Sequence, residues 1–183
     1  MKKLGLIVVD LQNEYLPTGK LPLSGIEAAA ANAAKIIADA RAKNIPVFHI
    51  RHEFANGEAP VFVPGTDGVK IQPTVAPTGD EPVIVKNYVN SFRDTDLKQQ
   101  LDNCGVEEVV IIGAMSHMCV DACVRAAVDM GYAATIVHDA CATLDLEFNG
   151  VTVPAAQVHA AMMAAFEFGY GTVTSTQAYL AAK

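Results

Sequence analysis

Short apolar segments alternate with helical patterns along this chain, and that alternation limits the folds it can adopt. Segments rich in Val and Ile predict six strands, at 4–9, 47–50, 82–86, 108–112, 133–138 and 171–174. Apolar or Ala positions at helical spacing predict helices at 26–43, 97–103, 121–130 and 154–168, with a short helix at the tail. Strands that are apolar throughout and separated by helices are typical of a parallel sheet covered on both faces. The predicted fold class is therefore α/β, with three α/β/α layers around a mainly parallel six-stranded sheet.

Two helices have recognisable ends. Ser24 precedes the first helix and is a good N-cap residue. Pro154 sits at the predicted first turn of the late helix, where proline is tolerated. The segments 52–80 and 139–153 read as loops, and a loop as long as the first is usually functional.

Composition restricts the class of protein. At 183 residues the chain is expected to form a single domain, 1–183, with a substantial core. The net charge of −7 disfavours nucleic acid or an anionic membrane as a partner. No uncharged stretch approaches the ~20 residues of a membrane helix, and the first apolar run is too short for a secretory signal. With four sparse cysteines and no Cys-x-x-Cys pair, we expect a cytoplasmic protein with free thiols.

Three reactive side chains follow three of the predicted strands. Asp10 ends the first strand, Lys86 ends the third, and Cys119 opens the helix after the fourth. The carboxyl ends of parallel strands share one edge of the sheet, where ligands bind in such folds. A carboxylate, an ammonium and a thiol at that edge could act as base, orienting cation and nucleophile.

Cys119 lies at the first turn of its predicted helix. The helix dipole there is expected to stabilise a thiolate. The first backbone N–H groups of a helix have no internal partner, so they can also hold an oxyanion. Each residue alone has a structural explanation: Cys119 as a small buried side chain, Asp10 as a turn cap, Lys86 as a solvated charge. Their conjunction at three strand ends favours catalysis.

Three segments carry a resemblance to a known family. They are Val8-Val9-Asp10-Leu11-Gln12-Asn13, Val85-Lys86-Asn87-Tyr88-Val89-Asn90-Ser91-Phe92 and Gly113-Ala114-Met115-Ser116-His117-Met118-Cys119-Val120. In order and spacing the chain resembles the isochorismatase-like cysteine hydrolases, the superfamily that includes nicotinamidases. The resemblance extends over the whole chain and implies the strand order 3-2-1-4-5-6.

The resemblance also implies roles for individual residues. It places the catalytic triad on Asp10, Lys86 and Cys119. It implies a non-proline cis peptide between Ala114 and Met115, with the backbone N–H groups of Met115 and Cys119 forming the oxyanion hole. Six residues lie in segments that line the pocket in relatives, and these are Tyr15, Phe54, Asn90, Phe92, His117 and Met118. Ordinary loop packing explains the position of each of them equally well.

One departure from the family concerns metal. Nicotinamidases carry an Asp-x-His pair after the second strand that begins a metal site. If His52 matches the family histidine, Ile50 replaces the carboxylate and Arg51 adds positive charge. His49 and His52 beside an arginine make a poor site, so we expect no metal and no cofactor.

These patterns favour a cysteine hydrolase that cleaves a small amide-like C–N bond through a thioester. Family members that cleave a vinyl ether lack the cysteine, so Cys119 favours an amide-like substrate. The alternatives are a metal-assisted nicotinamidase, a thiol redox sensor using Cys119 and Cys123, and a non-catalytic member that binds a ligand. A homo-oligomer, dimer or higher, is expected because the segment 139–153 carries much apolar surface, from Leu144, Leu146, Phe148, Val151 and Val153.

Overall fold

The centre of the molecule is a parallel sheet. The computed structural model describes residues 2–54 and 59–182. Its strands are β1 Leu4–Val9, β2 Val47–His52, β3 Val83–Lys86, β4 Glu108–Ala114, β5 Ala133–Ala142, β6 Leu146–Phe148, β7 Val151–Val153 and β8 Thr172–Thr174. Six of them form one sheet in the order β3-β2-β1-β4-β5-β8, and every pairing in it is parallel. The predicted order is confirmed, with β8 as the sixth strand.

Helices cover both faces of this sheet, and their bounds are α1 Ile26–Ala42, α2 Leu97–Asn103, α3 Cys119–Asp129, α4 Ala155–Gly169 and α5 Thr176–Ala181. The buried face of α1 packs with Leu6 and Val8 of β1 in one core, whereas α2, α3 and α4 pack with Ile7 and Val9 in a second. Successive residues of a strand point to opposite faces, so β1 contributes to both cores. The three-layer α/β/α prediction is confirmed. In the described part of the chain, no helix is long and apolar enough to cross a membrane.

The ends of several elements differ from the prediction. Gly25, with φ of +71°, occupies the position before α1, and no side chain caps that helix. The Ser24 N–H donates instead to the Thr143 carbonyl at 2.9 Å, so the predicted Ser24 cap is wrong. Pro154 immediately precedes α4, whose first N–H, on Ala155, donates to the Asp145 carboxylate at 2.7 Å.

The segment 139–153 is ordered rather than a loop. β5 continues to Ala142, and β6 and β7 then form an antiparallel hairpin. Its turn is Asn149-Gly150, and both residues have positive φ, +52° and +76°. An Asn-Gly pair between β-forming residues favours this kind of tight hairpin, so the signal was present in the sequence.

The hairpin presents apolar side chains to solvent. Phe148 is 75% exposed and Val151 is 62% exposed, and surface of this kind commonly marks a contact region. We predict that the protein self-associates as a dimer or higher oligomer and that Phe148→Asp weakens the assembly. Light scattering at micromolar concentration measures this. Phe168→Asp, at the far end of α4, is the matched control because it removes a phenylalanine that is even more exposed, at 96%. A monomer of 19.3 kDa before any substitution would contradict the prediction.

Candidate active site

Three side chains meet at the carboxyl ends of β1, β3 and β4. The Lys86 Nζ atom lies 2.8 Å from Asp10 Oδ2 and 3.2 Å from Cys119 Sγ. All three residues are buried, with exposed fractions of 0% for Asp10, 1% for Lys86 and 6% for Cys119. The sequence-based expectation that these groups converge therefore agrees with the observed geometry.

The order of the strands explains why a lysine occupies this position. β2 lies between β3, which carries Lys86, and β1, which precedes Asp10. Neighbouring strands are about 4.8 Å apart, so a group on β3 must reach across β2 to contact β1. The long side chain of Lys86 spans that gap and passes His52, which is its direct partner in the β2–β3 register.

A sharp turn after β1 positions Asp10. The residue has φ of +48°, a left-handed conformation that aspartate adopts more readily than most residues. Its N–H donates to the Ile50 carbonyl at 3.1 Å, and its carbonyl accepts from Gln12 N–H at 2.8 Å. Gly113 lets β4 approach β1 closely here, since a Cβ at that position would lie 2.0 Å from the Val9 carbonyl oxygen. Asp10 Oδ1 has no hydrogen-bonding partner among the described residues.

The charges at the site determine its resting protonation. Burial opposes the charged form of Lys86, but the charges of Asp10 and Cys119 and their hydrogen bonds together outweigh it and raise the pKa of the ammonium. Burial and the charge of Asp10 raise the pKa of the Cys119 thiol well above its usual value, and Lys86 only partly offsets this. Any stabilisation of a thiolate by the helix dipole is therefore outweighed by desolvation, which is the largest cause of the shift. Nucleophilic attack by Cys119 requires a base.

The loop between β4 and α3 carries two free backbone donors. The Ala114–Met115 peptide is cis, as the resemblance implies. The Met115 carbonyl accepts from the N–H groups of Met118 and Val120, at 3.0 and 3.1 Å. Among the described residues, neither the Met115 N–H nor the Cys119 N–H donates to another group. Both are therefore available to an oxyanion.

Side chains from neighbouring elements hold this loop. The Ser116 N–H donates to the Ala142 carbonyl at the end of β5, at 2.9 Å, and Ser116 Oγ lies 2.8 Å from His159 Nδ1 on α4. His117 Nδ1 lies 2.6 Å from Thr143 Oγ1. These contacts fix the loop at several points, so its two free N–H groups belong to a rigid structure.

Two of the predicted pocket residues belong to an aromatic cluster beside the site. The Tyr15 and Phe62 rings meet edge to face at 5.1 Å, and His52 meets Phe54 at 4.7 Å and Phe62 at 5.3 Å. Tyr15 is buried, and burial followed by the nearby charges of Cys119 and Asp10 raises the pKa of its hydroxyl. Residues 55–58, which follow Phe54, lie outside the described residues.

The other predicted pocket residues have mixed environments. Phe92 is largely buried, 6.5 Å from the Tyr132 ring, and the Asn90 side chain accepts a hydrogen bond from its N–H at 2.9 Å. His117 is half-buried beside Thr143, whereas Met118, the residue before α3, is 39% exposed. Their roles as substrate contacts remain predictions.

Comparison with known proteins identifies the family. A model of the isochorismatase domain matches residues 5–178. The chain belongs to the isochorismatase family. The uncharacterized isochorismatase family protein YddQ of Bacillus subtilis is 48% identical over 175 residues, which cover 96% of this chain and 97% of that protein. A crystal structure from Oleispira antarctica, of a protein assigned to the isochorismatase hydrolases, is 53% identical with a TM-score of 0.95, covering 99% of this chain and 97% of that one.

Three further members of the isochorismatase family have named activities. Streptothricin hydrolase of Streptomyces noursei is 35% identical, over 82% of this chain and 55% of that protein. Nicotinamidase 3 of Arabidopsis thaliana is 29% identical, over 90% and 82%. Maleamate amidohydrolase of Pseudomonas putida is 31% identical, over 75% and 71%. This chain is an isochorismatase-family hydrolase, a class that acts on non-peptide C–N or C–O bonds.

The residues along β2 do not fit the metal site of metal-dependent family members. His49 and His52 are three positions apart on β2 and therefore point to opposite faces. His49 Nε2 lies 3.0 Å from Glu81 Oε2, whereas His52 Nδ1 lies 3.4 Å from the Lys86 ammonium. Ile50 is buried in the core. A cation beside the Lys86 ammonium would be repelled, and the described residues include no cluster of three or more potential ligands.

Two residues of the site were missed by sequence reasoning. The sequence pattern marks His52 only as a poor metal ligand, although in the structure it contacts Lys86. Gln12 is fully buried and donates from Nε2 to the His52 carbonyl at 2.9 Å, while its Oε1 accepts from the His52 N–H at 2.8 Å. The available signal is Gln12 itself, because an amide three residues after a buried strand needs partners for both ends.

Proposed function

We propose that this protein hydrolyses a small amide-like C–N bond through a covalent thioester on Cys119. The observation that carries the proposal is the buried Lys86 ammonium between the Asp10 carboxylate, at 2.8 Å, and the Cys119 sulfur, at 3.2 Å. Two relatives are named for amide hydrolysis, the nicotinamidase and the maleamate amidohydrolase, which supports the same bond type.

The first half-reaction would form the thioester. Asp10 takes the thiol proton as the sulfur attacks the substrate carbonyl carbon. The Met115 and Cys119 N–H groups stabilise the negative oxygen that develops. Asp10 then returns the proton to the nitrogen of the leaving group, and the C–N bond breaks to release ammonia or an amine.

The second half-reaction would restore the thiol. A water molecule gives a proton to Asp10 and attacks the thioester carbon, with the same two N–H groups holding the oxyanion. The carbon–sulfur bond breaks, the sulfur regains the proton from Asp10, and the carboxylic acid leaves. Throughout both half-reactions the Lys86 ammonium, 2.8 Å from Asp10 Oδ2 and 3.2 Å from Cys119 Sγ, holds the base beside the sulfur.

An amide panel read by intact mass tests this function. Primary amides, N-substituted amides, cyclic imides and esters of small acids are incubated with the protein and quenched in acid. We expect one class to leave an acyl group on Cys119 and to release its acid. Cys104→Ser, which removes a half-buried thiol outside the site, is the control and should behave like the unaltered protein. Turnover that persists in Cys119→Ala would contradict the proposal.

Activity should survive removal of metal ions. The positions of His49, Ile50 and His52 do not fit a metal site, so the hydrolysis proposed here uses only protein groups. We expect the rate against the best substrate of the panel to be unchanged after prolonged dialysis against EDTA. A rate that falls with the chelator and returns with zinc, iron or manganese would show that these residues have been misinterpreted.

A further inference from the structure

Four acceptors surround the Lys86 ammonium, which has only three N–H donors. They are Asp10 Oδ2 at 2.8 Å, the Tyr88 carbonyl at 3.1 Å, Cys119 Sγ at 3.2 Å and His52 Nδ1 at 3.4 Å. Asp10 and Tyr88 are the two nearest acceptors, so the third N–H of Lys86 is left for either the Cys119 sulfur or His52 Nδ1. The mechanism above uses Asp10, Lys86 and Cys119 and assigns nothing to His52.

The surroundings of His52 hold its ring against Lys86. It lies directly opposite Lys86 in the register of β2 and β3. Both backbone polar groups of His52 bond to the side chain of Gln12, at 2.8 and 2.9 Å. The rings of Phe54 and Phe62 pack edge-on against the imidazole. A side chain fixed on this many sides keeps one orientation.

The ring is neutral at physiological pH. Burial, and then the positive charge of Lys86, lower the pKa of His52 to about 4. A neutral imidazole has one N–H and one bare nitrogen, and an ammonium can only donate. The nitrogen that faces Lys86, Nδ1, is therefore the acceptor, and the proton resides on Nε2.

We propose that His52 is a positioning residue that receives the third N–H of Lys86 while Cys119 carries the acyl group. This rests on the proposed thioester chemistry. The sulfur of a thiol or a thioester is uncharged and accepts hydrogen bonds only weakly, so neither form holds the ammonium as firmly as a charged partner would. Without His52, a buried N–H of Lys86 would then lack a partner, which is costly. With His52, the ammonium stays beside Asp10 for the attack of water.

Nitrogen NMR of the histidine rings tests the contact in the free protein, without substrate. In the ¹⁵N-labelled protein we expect His52 to show the Nε2–H tautomer at pH 7 and to titrate only near pH 4. His52→Asn identifies its signals among the five histidines. In Lys86→Met the loss of the positive charge should raise the pKa of His52. Lys35→Met, which removes an exposed lysine on α1, is the matched control and should leave the pKa of His52 unchanged.

Two NMR results would overturn the inference. One is an Nδ1–H tautomer in the unaltered protein, which needs no variant and so stands even if Lys86→Met fails to fold. The other is a pKa of His52 that is the same in Lys86→Met and in the unaltered protein. Both are independent of turnover. If no substrate is hydrolysed, the proposed function fails, but the NMR experiment still decides whether His52 accepts a hydrogen bond from Lys86.

Kinetics of two substitutions test the consequence. Asn offers an acceptor close to the position of Nδ1, whereas Leu has a similar volume and no acceptor. We expect His52→Leu to lower kcat about ten- to hundredfold, with little change in KM and with acyl-enzyme accumulating in the intact-mass spectrum. His52→Asn should stay within a few-fold of the unaltered protein. Equal losses in both variants, or a loss confined to acylation, would overturn the inference.

Discussion

Asp10→Asn and Lys86→Met are each expected to hydrolyse the substrate at least about 10³-fold more slowly than the unaltered protein. The reason is that the thiol has a raised pKa and needs Asp10 as its base, and the Lys86 ammonium, 2.8 Å from Asp10, holds that base beside the sulfur. Steady-state rates with the best amide of the panel measure the effect. Groups that act as a unit give effects that do not add, so the double variant should be no slower than the slower single variant.

Controls separate chemistry from folding in this series. Asp129→Asn and Lys35→Met remove an exposed carboxylate and an exposed lysine from α3 and α1 and should retain the full rate. Circular dichroism and thermal unfolding report whether each variant is folded. Asp10→Asn is the more informative variant because it preserves shape, whereas Lys86→Met leaves a buried carboxylate unpaired. A folded Lys86→Met protein with a near-normal rate would show that Lys86 has only a structural role.

Asp10→Asn should have the opposite effect on the reactivity of the free thiol. The negative charge of Asp10 is one of the causes that raise the pKa of Cys119. Removing that charge lowers the pKa, and each unit of decrease raises the thiolate fraction about tenfold at a pH below the pKa. We therefore expect iodoacetamide to alkylate Cys119 faster in Asp10→Asn than in the unaltered protein at pH 8, although turnover is lost. Peptide mass spectrometry against time measures the rate.

The same digest supplies the internal standard. Cys104 is half-buried and directly follows α2, just before the start of β4, whereas the site lies at the end of β4, so its alkylation rate should be the same in both proteins. Alkylation of Cys119 that is unchanged or slower in Asp10→Asn would mean that the carboxylate does not set the acidity of the thiol. Its role as the base would then need another explanation.

The elements of the fold were largely predictable because each has a strong local pattern. β1 and α2 begin and end where the pattern predicts, and the other long elements differ by a few residues. The exceptions have physical causes. Ser24 is not a cap because its N–H is bound to Thr143, a residue 119 positions away in sequence, through an isolated bridge. The β6–β7 hairpin has only a weak strand pattern because each strand is only three residues long.

The chemistry of the site was only partly predictable. That Asp10, Lys86 and Cys119 share an edge follows from the rule that parallel strands end together. Their protonation does not follow, because it depends on burial. The sequence suggested a thiolate from the position of Cys119 on its helix, but desolvation of a side chain only 6% exposed raises the pKa instead. Likewise His52 was treated as half of a metal pair, because its neighbour on β3 cannot be known before the strands are paired.

The sequence by itself therefore determined the order of strands and helices and the three chemical groups that follow strand ends, since both depend on patterns within a few residues. The tertiary structure decided what surrounds those groups. The packing of β2 between β1 and β3 places His52 against the ammonium of Lys86, and the Gln12 side chain with the Phe54 and Phe62 rings holds it there. Such contacts join residues about 30 to 40 positions apart. Their energies depend on distance and burial, which are properties of the folded chain.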